Sequence, residues 1–285
     1  MKRRDFLALS AASLVHAQTP DPNAIFICPM DPDVRQHDPG TCPRCGMKLA
    51  AGLPEPVEYH LDLKISPRAP KPGQPADLSF AVTDPWKDRP VTKFNLVHER
   101  LFHMFVVSQD LNFFLHDHPV FSADGQFHYN GLVLPTPGLY RVLSDFYPDA
   151  ATPQIIAKTL IVPGPAPAPV SLSDDLARKQ SANLSVELRT VPERPIADMN
   201  TQLHFKLNPG DGLEPYLGAW GHMLVASDDL IDLIHTHPFI ADGSPELQFN
   251  VVFPRPDRSY RVWVQFQRAG VVNTAHFDLR AHDLR

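Results

Sequence analysis

One stretch of this chain is written twice, and the repeat limits the folds available to it. His103-Met104 recurs as His222-Met223, and His116-Asp117-His118-Pro119 recurs as His235-Thr236-His237-Pro238. Thirteen positions separate the first and second histidine in both copies, and Tyr140-Arg141-Val142 recurs as Tyr260-Arg261-Val262. Duplication of one structural module explains this spacing. Within each copy the apolar residues come in short alternating runs broken by Pro, Gly and Asp. The first copy, 58–162, predicts strands at Tyr59–Ile65, Asp77–Thr83, Phe102–Ser108, Leu111–Leu115, Gln126–Val133, Leu139–Phe146 and Ile155–Val162. The second, 183–282, predicts them at Leu184–Thr190, Gln202–Leu207, His222–Ala226, Leu230–Ile234, Leu247–Phe253, Tyr260–Gln267 and Val272–Leu279. Regular short strands with turn signals between them indicate a β-sandwich. Thirty-one prolines also work against long helices, since each removes a donor and clashes with the preceding turn. The expected fold is mainly β: a small metal-knuckle domain followed by two tandem immunoglobulin-like β-sandwich domains. Between the sandwiches, 163–182 opens as Pro163-Gly164-Pro165-Ala166-Pro167-Ala168-Pro169 and reads as an extended linker, with a brief helical turn at Ser173–Lys179.

The repeated histidines follow strand geometry. A hairpin turning about Gln109-Asp110 places His103 opposite His116, with His118 two residues further on and on the same face. A turn about Asp228-Asp229 does the same for His222, His235 and His237. Each copy thus predicts one three-His set, a donor set suited to Cu(II), Cu(I) or zinc. Another reading places these histidines at the rim of a sandwich core, because His103 shares its face with Phe105, Val107 and Phe114, and His222 with Leu224, Ile231 and Leu233. Met104 and Met223 fall on the opposite face as packing residues. His98 has no counterpart, since Leu217 holds that place. His60, His128, His204, His276 and His282 stand alone on their strands. A cupredoxin-like sandwich is the nearest rival fold, but it needs a Cys among its copper ligands and neither module has one.

All three cysteines lie between 28 and 45, so a disulfide framework for the whole chain is excluded. The pattern is Cys28-Pro29-Met30-Asp31, then Cys42-Pro43-Arg44-Cys45-Gly46-Met47. A Cys-Pro-x-Cys-Gly turn aims two thiolates at one point, and its glycine relieves the backbone. A local disulfide with one spare thiol is the alternative in an oxidising compartment. Residues 25–50, through Pro39-Gly40-Thr41-Cys42-Pro43-Arg44-Cys45-Gly46-Met47-Lys48-Leu49, resemble the short heavy-metal-binding domain that accompanies bacterial copper and silver resistance systems, on export ATPases and periplasmic efflux adaptors. The resemblance implies a metal site built on Cys28, Cys42 and Cys45, with Met30 and Met47 available to a soft ion. Members usually carry Cys-Pro-Met-His-Pro. Here Asp31 stands in place of that histidine, so the fourth ligand is Asp31, His37 from the intervening loop, or none. A unit this short has little core, so the ion would supply much of its folding energy.

Met1–Ala17 reads as a signal peptide, with a basic start, an apolar run and a Val15-His16-Ala17 cleavage site. Arg3-Arg4-Asp5-Phe6-Leu7 resembles the twin-arginine export signal. The expected location is the periplasm or beyond. No later segment is long and apolar enough to span a membrane. The net charge of −6 excludes the basic stripe that nucleic acids require. No phosphate loop, nucleotide fingerprint or Ser/His/Asp arrangement is present. The sequence therefore predicts a non-enzymatic protein that binds copper or silver, with zinc also suited, partnered by the ion and by a metal-efflux or copper-handling protein. A cell-envelope interaction module with structural histidines, and a copper or zinc enzyme on a three-His site, are the alternatives.

Overall fold

The computed structural model describes residues 25–28, 34–43, 46–52, 57–239 and 243–284. The predicted signal peptide, Met30, Asp31, Cys45 and the Leu53–Pro56 connection lie outside these described residues. The chain forms two compact units, Met1–Glu55 and Pro56–Arg285. Among the described residues no helix is long and apolar enough to cross a membrane.

In the first unit, β1 (Ile25–Ile27) lies between β2 (Arg35–Gln36) and β3 (Ala50–Gly52) in an antiparallel sheet. Its small core is Cys28, Cys42 and Leu49, flanked by Phe26 and Val34. Cys28 leaves β1 with its amide donating to the Val34 carbonyl at 3.0 Å. The Cys42 amide donates to the Met47 carbonyl at 2.8 Å, and Gly46 takes φ 73° to close that turn. A side chain at Gly46 would strain this left-handed backbone, which is why the Cys-Pro-x-Cys-Gly pattern ends on glycine.

The second unit holds two sandwiches. In module 1, β4 (His60–Ser66), β5 (Pro75–Asp84) and β8 (Phe127–Val133) form one sheet. The other, in order β10-β9-β6-β7, contains β6 (Phe102–Ser108), β7 (Phe114–Asp117), β9 (Gly138–Pro148) and β10 (Gln154–Val162). Module 2 repeats the plan. Its first sheet holds β11 (Ser185–Val191), β12 (Asn200–Asn208) and β15 (Glu246–Val252). Its second, in order β17-β16-β13-β14, holds β13 (His222–Ser227), β14 (Leu233–Thr236), β16 (Arg258–Arg268) and β17 (Val271–Ala281). This is the immunoglobulin-like arrangement. The repeated tyrosines pin it: the Tyr140 hydroxyl donates to the Thr136 carbonyl at 2.8 Å, and that of Tyr260 accepts the Arg255 amide at 3.3 Å. Residues 171–178 form no helical turn. Asp175 bridges Asp278 instead, and Lys179–Gln180 pairs with Ser185–Val186 as an edge strand within the predicted linker.

Strands β6 and β13 are buried on both faces, at every residue. One face supplies the sandwich core, through Met104 and Val106 or Met223 and Val225. The other supplies a third core, in which Phe105, Val107, Leu111 and Leu143 of module 1 pack against Leu224, Ala226, Leu230 and Trp263 of module 2. The two sheets that carry the histidines therefore pack outer face to outer face. Phe114 stacks on Trp263 at 5.2 Å, and the buried Arg261, paired with Asp278, donates to the Leu111 carbonyl at 2.8 Å. Val170 and Leu172 of the linker pack against this cluster, so that segment is seated rather than free.

Trp263 is 4 % exposed and central to the contact. Trp263→Ala is expected to cost about 3–5 kcal/mol in chemical denaturation. A change under about 1 kcal/mol would show that the inter-module core contributes little.

Candidate metal centre

Both histidine hairpins are built by one loop. Ser108 and Asp110, like Ser227 and Asp229, close the five residues between the strands. Each serine hydroxyl donates to the aspartate carboxylate and accepts the amide of Phe113 or Asp232 at 2.9 Å. Each aspartate accepts the amide two residues on, from Asn112 or Ile231, at 3.2 Å. Leu111 and Leu230 take φ 56°. This loop shifts the expected register by two residues: Phe105, not His103, faces His116, and Leu224, not His222, faces His235. A shift of two keeps every side chain on its face. The three histidines of each copy therefore still converge, with His103 and His222 diagonal to His116 and His235.

The ligand nitrogens of His103, His116 and His118 lie within 4.8 Å of one another, as do those of His222, His235 and His237. In module 1 the His103 Nδ1 stands 3.4 Å from His116 Nε2 and 3.2 Å from His118 Nε2. In module 2 the His222 Nδ1 stands 3.1 Å from His237 Nε2. Nitrogens sharing one tetrahedral ion at ~2.0–2.1 Å would be separated by about 3.3 Å.

The outer nitrogens are held by acceptors, which fixes the tautomers. His103 Nε2 donates to the Val97 carbonyl at 2.9 Å, and His222 Nε2 to the Tyr216 carbonyl at 2.8 Å. The other two holds cross the module interface. His116 Nδ1 donates to Gln265 Oε1 at 2.7 Å, and His235 Nδ1 donates to Asp145 Oδ2 at 2.6 Å. Gln265 donates its own amide to Thr274 Oγ1, which sets its orientation. The inner nitrogens of His103 and His116 are consequently lone pairs facing each other. The His235 Nε2 is buried with no hydrogen-bond partner among the described residues. A cation would relieve both features, and the donor set fits one.

The two sets also touch. Ring centroids of His103 and His116 lie 5.2–6.2 Å from those of His222 and His235. His98, from the hairpin loop of module 1, adds a seventh ring, tilted 33° against His237 with the centroids 3.7 Å apart. Burial first, and neighbouring rings after it, favour the neutral form of six of these imidazoles. His103 is pushed down to about 4, and His118 and His222 to about 3; His116, His237 and His98 are lowered as well. Neutral imidazole is the ligating form.

Of the sequence-predicted donors, the six repeated histidines are thus brought together. The face they occupy is neither sandwich core nor solvent but the contact between modules. Met104 and Met223 are buried in the sandwich cores. In the first unit Cys28 and Cys42 are buried in one small core, while His37 and Met47 lie at the surface. Sequence reasoning missed Asp145 and Gln265. Each stands five residues after its repeated tyrosine, so the signal was the repeat itself.

A family model described as a domain of unknown function, DUF8832, matches residues 56–162 and 169–283. A model described as heavy metal binding domain matches residues 25–51. No curated protein matches the chain. Among solved structures it is similar to a two-domain fibronectin type-III segment of chicken tenascin, at 12 % identity and TM-score 0.23, covering 79 % of this chain and all of that one. It is also similar to the fibronectin(III)-like modules of Clostridium thermocellum CbhA, at 8 % identity and TM-score 0.22, covering 78 % and 95 %.

The neutral rings set a pH dependence. Between the ordinary value of 6.5 and about 4, the unfolded chain takes up protons that folded His103 refuses, and the same holds for its lowered neighbours. Stability must then fall as pH drops through that window, by up to about 1.4 kcal/mol per pH unit for each such ring, and be restored above it. Urea midpoints of chelator-treated protein at pH 7.5 and 5 test this; equal midpoints would contradict it.

Proposed function

The chain belongs to the DUF8832 family, and we propose that it is an exported heavy-metal-binding protein that takes up copper or silver for sequestration or hand-over, with zinc also suited to its sites. The observation that carries this reading is the pair of three-His sets, whose inner nitrogens converge while acceptors hold the outer ones of His103, His116, His222 and His235. The heavy-metal-domain match supports it independently, on a different donor chemistry. In that unit Cys28, Cys42 and Cys45 would hold a soft ion, with Met30 and Met47 nearby in sequence and Asp31 or His37 as the further donor. In the sandwiches each ion would receive three imidazoles. What the chain's own residues do is bind, orient and exclude water: carbonyls and side chains aim the rings, and the inter-module core shields them. Export by the twin-arginine route, which carries folded cargo, suits a protein whose donors must be assembled before they meet a competing ion. An efflux or copper-handling protein would be its partner. No reaction is part of this reading.

Elemental analysis of the mature protein tests it. Cys28/Cys42/Cys45→Ser should lose the ion of the first unit, His118→Ala with His237→Ala should lose those of the sandwiches, and the combined variant should be metal-free. Unchanged metal content across all three would sink the proposal; loss in the first alone would confine binding to the short unit.

A further inference from the structure

The two three-His sets are not equivalent, although the repeat that builds them is. We propose that they form one centre that takes two metal ions in a fixed order, His222, His235 and His237 filling before His103, His116 and His118. This rests on the metal-binding reading above.

Three observations set the order, and a fourth makes an order necessary. The sets are in ring contact across a buried interface, His116 to His222 at 5.2 Å. Charges this close and this poorly solvated repel strongly, so the second ion always meets the first. Filling is stepwise even for identical sites.

The choice of first site follows from Asp145 and Gln265. They occupy the same place in the repeat: Asp145 pairs with His103 across β9 and β6, and Gln265 pairs with His222 across β16 and β13. Each reaches over to the other module's histidine. His235 therefore donates to a carboxylate, and His116 to a neutral amide. A carboxylate behind an imidazole raises its basicity as a ligand and offsets the ion's charge. The set of module 2 has one at hydrogen-bond distance, whereas in module 1 the Asp117 carboxylate stands 3.8 Å from His118 Nδ1. Module 2's set is also the one whose donor nitrogen, His235 Nε2, lacks any other partner among the described residues.

His98 adds to the same side. It comes from the hairpin loop Val97–Arg100, where His98 and Glu99 have φ 46° and 64°. The matching loop of module 2 carries Leu217 and Gly218 at φ 51° and 73°. His98 is half-buried and its ring lies 3.7 Å from that of His237 at a 33° tilt, so module 2's set has a further imidazole beside it, whereas the matching position of module 2's own loop is Leu217. Asp145 and His98 are thus positioning and neighbouring groups that module 1 lends to module 2's ligands.

The test uses the full chain with Cys28/Cys42/Cys45→Ser, so that only the histidines report. Cu(II) is titrated against a competing chelator, with equilibrium dialysis for stoichiometry and electron paramagnetic resonance for the environment of each equivalent. Two equivalents should bind in two separated steps. His237→Ala should abolish the tighter step and His118→Ala should spare it. Asp145→Asn should weaken the tighter step by about 10–100-fold and alter its resonance spectrum. Gln265→Glu should tighten the weaker step, a gain that lost packing cannot produce. Equal steps, loss of the tighter step in His118→Ala, or indifference to both Asp145→Asn and Gln265→Glu would overturn the order while leaving metal binding intact. Failure to take up any copper would overturn the metal-binding reading itself.

Discussion

A buried imidazole has two nitrogens that water no longer reaches, and each must find a partner or remain costly. Four such rings, His103, His116, His222 and His235, are nearly sealed in the contact between two sheets. Their outer nitrogens are met by carbonyls, an amide and a carboxylate. Of their inner nitrogens, that of His103 faces His116 and His118, that of His222 faces His237, and that of His235 has no partner among the described residues. Much of this region serves that arrangement. Phe105, Leu111, Leu224 and Trp263 keep water out, Arg261 ties the loop of one module to the sheet of the other, and the Ser-x-Asp-Leu loops bring the second strand back at the required register.

The sandwich plan was legible because its signals are local. Alternation with period two, proline and glycine punctuation, and the repeated tyrosine all act within a strand or across one turn. The convergence of three histidines was legible for the same reason, and it survived a register error because the error was even. Had the Ser108–Asp110 loop held one residue more or fewer, His116 and His118 would have turned to the core beside Met104. What could not be read was the docking of outer faces. Strand periodicity says which residues share a face but not what that face meets. Whether Phe105 and Leu224 lined a sandwich core or something else was therefore undecidable from spacing. For the same reason Asp145 and Gln265 went unseen: their partners are some 90 and 149 positions away in the chain.

The chain also separates two kinds of donor. Thiols are gathered in the first unit, where Cys28 and Cys42 make up most of a very small core. Imidazoles are gathered in the second, on a scaffold with two large cores of its own. Under the proposed function, the first arrangement would make folding depend on what the sulfurs hold. The second holds its rings in place by packing. Under the proposed function the two would differ in preference, sulfur for soft monovalent ions and imidazole for divalent ones.

The crossed holds, His116 on Gln265 and His235 on Asp145, have the reciprocity of an isologous interface, in which each partner presents to the other what it receives. A single sandwich pairing with its own copy through this sheet would show the same pattern. In such a homodimer, however, both positions are one codon and both sites are alike by symmetry. Joining the two copies in one polypeptide removes that restriction. It lets one position become aspartate while its counterpart becomes glutamine, and one hairpin keep a histidine where the other has leucine. Carrying both copies in one polypeptide is what allows the two halves to differ.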